Sequence, residues 1–266
     1  MISASQPLRL QLLGVCLEIS TDISDFADAL SGRLPPFESP CRSQPADRRY
    51  GLERAEESGE GLTLSRGLRK PVLVAGREAA ADLLAEDAER FLAHHAADRI
   101  FVHAGAVGWR GKAILLPGRS GAGKTELVAA LLRSGAEYFS DEFGLLDAHG
   151  NVHPYARPLA LRREGGQVAR LAPEAFGSRR AAAMPLGAIA FLRYRARGAW
   201  KGAKISAGES LLGLLANTVA VRKRFGEAKS VLASLAATTF AFRGTRGEAA
   251  EAARLLLAEV DRRIRR

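Results

Sequence analysis

Residues 118–125 read Gly-Arg-Ser-Gly-Ala-Gly-Lys-Thr and fit the phosphate-loop pattern G-x-x-x-x-G-K-[ST] at every position. Such a loop grips phosphate with backbone N–H groups. It needs a buried strand to deliver it and a helix to leave it with the positive end facing the anion. Both flanks are present. Residues 113–117 are apolar and of strand length. Residues 124–134 place Leu127, Val128, Leu131 and Leu132 at helical spacing, ahead of Gly135. Gly118, Gly121 and Gly123 free the backbone to curl, with Arg119, Ser120 and Ala122 between them. Lys124 is placed for the β- and γ-phosphates of a nucleotide, and the Thr125 hydroxyl for Mg²⁺.

Around this loop the chain alternates strand and helix patterns. Residues 100–107 and 112–118 are apolar strands joined by a hairpin-like turn at 108–111. Residues 136–147 read as one strand entering a turn, 187–194 and 238–244 as further strands, and 209–224 and 247–264 as helices. That pattern is α/β. Ahead of it, residues 8–19 alternate as a strand with a bulge at Gly14. Residues 24–31 suit a short helix, 34–50 a loop, 62–64 and 72–74 short strands, and 78–98 a helix. The expected organisation is a mixed α+β extension over 1–98 and an α/β domain over 99–266.

Composition narrows the function classes. With 47% apolar residues the chain has enough material for a well-packed core. Two cysteines, Cys16 and Cys41, cannot build a disulfide framework, and Cys16 reads as a small core residue. Five histidines show no zinc-ligand spacing. The net charge of +10 comes from 39 basic and 29 acidic residues; seven of the 39 are lysine, so 32 are arginine, spread along the chain. A dispersed basic surface is the reading preferred over a nucleic-acid partner. No apolar run has the length of a membrane span, and the first twenty residues do not read as a signal peptide, so a cytoplasmic protein is expected.

The loop does not specify a reaction, since the same cradle serves ATPases, GTPases, kinases and transporters. The base-reading N-K-x-D of GTPases and the signature of ABC-type ATPases are absent. Residues 138–141, Tyr-Phe-Ser-Asp, are half as apolar as a usual second nucleotide motif requires. Asp141 and Glu142 stand 17 and 18 residues after Lys124, at the end of an expected strand. Two readings fit them: a solvated acidic pair in a turn, or a proton acceptor and a metal-holding carboxylate beside the γ-phosphate. Arg157 and Arg162 are of a type that neutralises phosphate. His153 and Tyr155 either order a loop over the nucleotide or shape a turn.

His103-Ala104-Gly105, the loop with Glu126 after it, Gly135 and Ser140-Asp141-Glu142 together resemble the catalytic domain of HPr kinase/phosphorylase, over about residues 100–225. The family reads H-G ahead of the loop, G-x-S-G-x-G-K-S-E at it, and two aspartates after it. Here Ala104 intervenes, Thr125 replaces serine and Glu142 replaces the second aspartate. The resemblance implies a phosphoenolpyruvate carboxykinase-like P-loop core, a mixed sheet flanked by helices, using ATP and Mg²⁺. It implies Asp141 as proton acceptor, Lys124 and His103 at the phosphates, Glu126 in the nucleotide site, and Thr125 with Glu142 at the metal. The family's E-[IV]-R-G-L-G segment is not recognisable; Glu164 is its nearest substitute. Its late P-V-x-x-G-R-N-L segment is only echoed by residues 207–211. Paralogues with other substrates carry S-D-[DE] followed by H-P-Y-x-R-P, as residues 153–158 do here.

The expectation is therefore a kinase acting on a hydroxyl, most naturally serine, of a protein or peptide, with homo-oligomers common in the family. The alternatives are a small-molecule kinase and a nucleotide-binding regulatory module or ATPase with little phosphotransfer.

Overall fold

The computed structural model describes residues 7–36, 41, 44–55, 61–118, 121, 123–162, 167–178, 182–219 and 225–264. The chain divides into two compact units, Met1–Ala97 and Asp98–Arg266.

The first unit is a five-stranded sheet with helices. Strands β1 (Leu8–Leu12) and β2 (Val15–Thr21) form a hairpin, where the sequence suggests one bulged strand. The chain turns at Leu13 and Gly14, which both have positive φ, 50° and 76°, and so match the twist of a two-residue hairpin. The apolar alternation runs on across the turn because Leu12 and Val15 face each other on one side of the sheet. After α1 (Phe26–Ser31) come β3 (Arg48–Arg54), β4 (Leu62–Arg66), β5 (Arg69–Val74) and α2 (Arg77–His95). The strand order is β1-β2-β3-β4-β5, with only the β2–β3 pair parallel. Ala81, Leu84, Ala88 and Leu92 of α2 are buried at helical spacing. Cys16 is buried, as the sequence suggests, but it is not a free core residue: it is bonded to Cys41, with Cα atoms 6.1 Å apart.

The second unit runs β6 (Ile100–Trp109), β7 (Lys112–Pro117), α3 (Lys124–Arg133), β8 (Glu137–Ser140), β9 (Phe143–Leu146), β10 (Asn151–His153), β11 (Leu159–Arg162), β12 (Val168–Leu171), β13 (Met184–Tyr194), β14 (Lys201–Lys204), α4 (Ala207–Asn217), α5 (Phe225–Thr238), β15 (Phe240–Arg246) and α6 (Ala249–Ile264). Its main sheet has the order β10-β9-β6-β7-β13-β15-β14. β8 lies against β6 beside β9, and β10 also reaches the start of β13. The β7–β13 and β13–β15 pairs are parallel, and β6 is antiparallel to both β7 and β8. Thus β7, β8, β13 and β15 run the same way, and their C-terminal ends lie along one side of the sheet. Crevices at such ends are where open α/β sheets bind ligands.

Both faces are covered, which is why the central strands are continuously apolar. Ile114 and Leu116 pack with Leu127, Leu131, Leu256 and Val260 of α3 and α6. Ala113 and Leu115 pack on the other face with Leu214, Leu232 and Leu235 of α4 and α5. Gly105 on β6 gives α3 its seat, because a Cβ there would lie 2.8 Å from Val128 Cγ2. The observed class is therefore α/β with mixed sheets.

Three readings of the sequence are corrected. Residues 136–147 form two strands, β8 and β9, with Asp141 and Glu142 in the break between them. The helix expected over 209–224 ends at Asn217, and a second helix, α5, follows where no element was expected. The 108–111 turn tightens to Arg110 and Gly111, with Trp109 opposite Lys112.

Candidate functional site

β7 delivers the chain to Gly118, whose N–H donates to the His103 carbonyl of β6 at 3.2 Å. Gly121 and Gly123 have φ of 79° and 73°, a left-handed backbone that side-chain-bearing residues rarely adopt. Gly123 caps α3 and accepts from the Leu127 N–H at 3.2 Å. Arg119, Ser120 and Ala122 lie outside the described residues. The Lys124 ammonium folds back and donates to the Gly118 carbonyl at 2.8 Å. Burial lowers its pKa, against the opposing pull of Glu142 and Asp141. Glu126 stands in the first turn of α3, exposed.

The Thr125 hydroxyl donates to Asp141 Oδ2 at 2.9 Å. Asp141 is 2% exposed, and its other oxygen accepts from the Tyr138 hydroxyl at 3.2 Å. Burial pushes the Asp141 pKa up, against the Arg157 charge and the Thr125 and Tyr138 hydrogen bonds, which pull it down. Glu142 is held differently. His103 Nε2 lies 2.7 Å from Glu142 Oε1, and Arg157 Nη2 lies 3.4 Å from Oε2. Burial opposes ionisation here too, but the His103 hydrogen bond and the Arg157 charge outweigh it, and Glu142 sits below the usual carboxylate range.

Two elements build this acidic pair. Ser140 Oγ accepts from the N–H groups of Glu142 and Phe143 at 3.1 and 3.0 Å, turning the chain sharply between β8 and β9. His103 reaches Glu142 because it pairs with Phe143 in the β6–β9 ladder. Thus the structure joins Thr125 to Asp141 and His103 to Glu142, while Lys124 bonds the loop's own Gly118 with both carboxylates acting on its charge. Thr125 bonds Asp141 rather than Glu142. Among the described residues no group of three or more His, Cys, Asp or Glu side chains forms a ready-made metal cage. Mg²⁺ does not need one, since it is commonly held by one or two carboxylates with water and phosphate oxygens.

Arg157 belongs to this site, although the residue pattern gave it no more weight than Arg162. The 153–158 segment delivers it. The Tyr155 N–H donates to the Phe139 carbonyl at 2.9 Å, and the Tyr155 ring packs edge-on against Phe101 and Phe143. His153 Nε2 lies 2.8 Å from Asp147 Oδ2, closing the β9–β10 hairpin. Arg157 then reaches Asp141 Oδ1 at 3.8 Å as well as Glu142. Arg162 is exposed at the end of β11 and makes none of these contacts. Glu164 and the basic run 222–224 lie outside the described residues. Glu209 serves as a helix cap, paired with Ser206 in a capping box at the start of α4.

One residue of the site carries no motif. Arg246 ends β15, is 3% exposed, and donates from Nη2 to the Gly123 carbonyl at 2.7 Å. It lines a small cavity with Gly118, Gly123, Lys124 and Leu127. Only the strand topology could have found it, by placing the ends of β7 and β15 on the same side of the sheet. No protein-family model matches the sequence, and no curated protein matches it.

Proposed function

We propose that the chain is an ATP- and Mg²⁺-dependent kinase with an HPr kinase-like P-loop core, transferring the γ-phosphate to a hydroxyl, most naturally serine, of a protein or peptide. The Thr125–Asp141 hydrogen bond of 2.9 Å carries this reading. It ties the first turn of the loop's helix to a buried carboxylate, and this supports Asp141 as the proton acceptor for transfer from a phosphate held by the loop.

The residues fit the ligands. The left-handed Gly121 and Gly123, the half-buried Lys124 and the start of α3 suit a polyphosphate. Mg²⁺ would be held by Thr125 with Glu142, where it would neutralise charge developing on the phosphates. The two carboxylates are pushed in opposite directions, Asp141 up and Glu142 down. Neighbouring acids split in this way take separate roles. Asp141 suits proton transfer, and Glu142 stays ionised between His103 and Arg157.

In the proposed step the acceptor oxygen attacks the γ-phosphorus and its proton passes to an Asp141 oxygen. The bond from the γ-phosphorus to the bridging oxygen breaks, and the electron pair leaves with ADP. Lys124 and Arg157 offset the spreading negative charge, and His103 fixes the Glu142 carboxylate. The test separates binding from transfer. Asp141→Asn should bind Mg·ATP within a few-fold of wild type and lose transfer by about 10²-fold or more. Undiminished transfer in that variant would remove Asp141 from the reaction.

A further inference from the structure

We propose that Arg246 is a phosphate-facing cation of the nucleotide site, whose close anionic partner is a phosphate of the ligand. The inference rests on the nucleotide-loop reading given above. Four observations carry it. Arg246 is 3% exposed, and among the described residues its nearest counter-charges, Glu126 and Glu248, act from beyond 4.0 Å and do not form an ion pair with it. Its two hydrogen bonds go to backbone carbonyls, Gly123 at 2.7 Å and Gly247 at 3.0 Å. Its guanidinium carbon lies 5.1 Å from the centre of the Tyr194 ring, its cross-strand partner in the β13–β15 ladder. It shares the cavity at the end of β7 with Lys124.

A buried cation without a close anionic partner is costly to fold around. Carbonyl groups and an aromatic face offset only part of that cost. The other buried guanidinium among the described residues is neutralised at close range: Arg33, 6% exposed, sits 2.8 Å from Glu78 and 2.6 Å from Asp82. Arg246 instead faces the loop whose neighbouring cation is Lys124. A nucleotide phosphate meets both. The Arg246 bond to the Gly123 carbonyl adds a positioning role, since it orients the peptide at the mouth of α3.

A purely structural Arg246 and a ligand-facing one predict opposite effects on the ligand-free protein. The experiment compares wild type, Arg246→Gln, Arg246→Lys and Lys124→Ala by thermal unfolding and by titration with Mg·ATP. The ligand-facing role predicts an apo melting temperature for Arg246→Gln equal to or above that of wild type. It also predicts Mg·ATP affinity weakened at least about tenfold, with Arg246→Lys retaining more affinity than Arg246→Gln. An apo melting temperature that falls in both Arg246 variants while nucleotide affinity stays at the wild-type value would overturn the inference and leave the loop reading intact. If wild type binds no Mg·ATP and matches Lys124→Ala, the loop reading itself fails and the inference falls with it.

Discussion

Asp141 and Glu142 adjoin in the chain and are held in opposite conditions. Asp141 is sealed beneath Thr125 and Tyr138, while Glu142 is clamped by His103 and Arg157. The raised pKa of Asp141 has two consequences. Transfer that needs its ionised form should fall on the acid side at a pH above the ordinary aspartate value of about 4, and a pH–rate profile checks this. For stability, the folded state holds the Asp141 proton more tightly than the unfolded chain does. The associated stability is complete below the unfolded pKa and is lost as pH rises through the folded one. Asp141→Asn removes that loss, so its stability relative to wild type should increase from pH 4 upward, read by denaturant unfolding across the range. A relative stability that declines with rising pH would contradict the burial argument. At this scale the sequence shows Lys124 and Thr125 plainly, because a spacing motif names them, while spacing alone leaves the acidic pair open between a turn and a site. Arg157 is visible only as a residue of the right type. Arg246 is invisible, because its place depends on a strand neighbour more than 120 residues away from the loop it touches.

Among the elements, α3 decides whether the loop is aimed, and Gly105 decides where α3 sits. Gly105→Ala places a methyl group 2.8 Å from Val128 Cγ2. It should cost about 1–3 kcal/mol and weaken nucleotide binding by tilting the helix. Adding Val128→Ala should recover part of the binding, and a titration of the single and double variants checks this. Ser206→Ala breaks the α4 capping box and should cost about 1 kcal/mol in denaturant unfolding. The strongly periodic elements, β7, α3 and α6, are legible in the chain because burial and hydrophobic pattern coincide there. The β8–β9 break is not, since the polar Ser140-Asp141-Glu142 reads equally as the end of one strand, and the return into β9 depends on the turn that Ser140 Oγ makes with the N–H groups of Glu142 and Phe143. The α4–α5 division escapes for a similar reason: leucine and alanine spacing fits both helices, and α4 stops without a glycine or proline stop signal, where the Thr218 hydroxyl donates to the Leu214 carbonyl at 2.8 Å.

In the whole molecule, the two units carry different kinds of constraint. The first is cross-linked by Cys16–Cys41 across a sequence separation of 25 residues. Closing a loop of that length restricts the unfolded chain, so reduction should cost about 3 kcal/mol, measured by denaturant unfolding with and without reductant. Pairing of two cysteines cannot be read from their number, because their separation in space is set by the sheet. The second unit gathers the ends of β7, β8 and β15 around the loop, and this convergence is what the kinase reading depends on. Its most direct test is transfer of label from γ-labelled ATP, with Mg²⁺ and host lysate as the source of acceptor, by wild type beside Asp141→Asn. A polypeptide labelled on serine by wild type and not by the variant is the expected result. Release of the label only to water or small molecules, or equal labelling by both proteins, would contradict a protein or peptide kinase acting through Asp141.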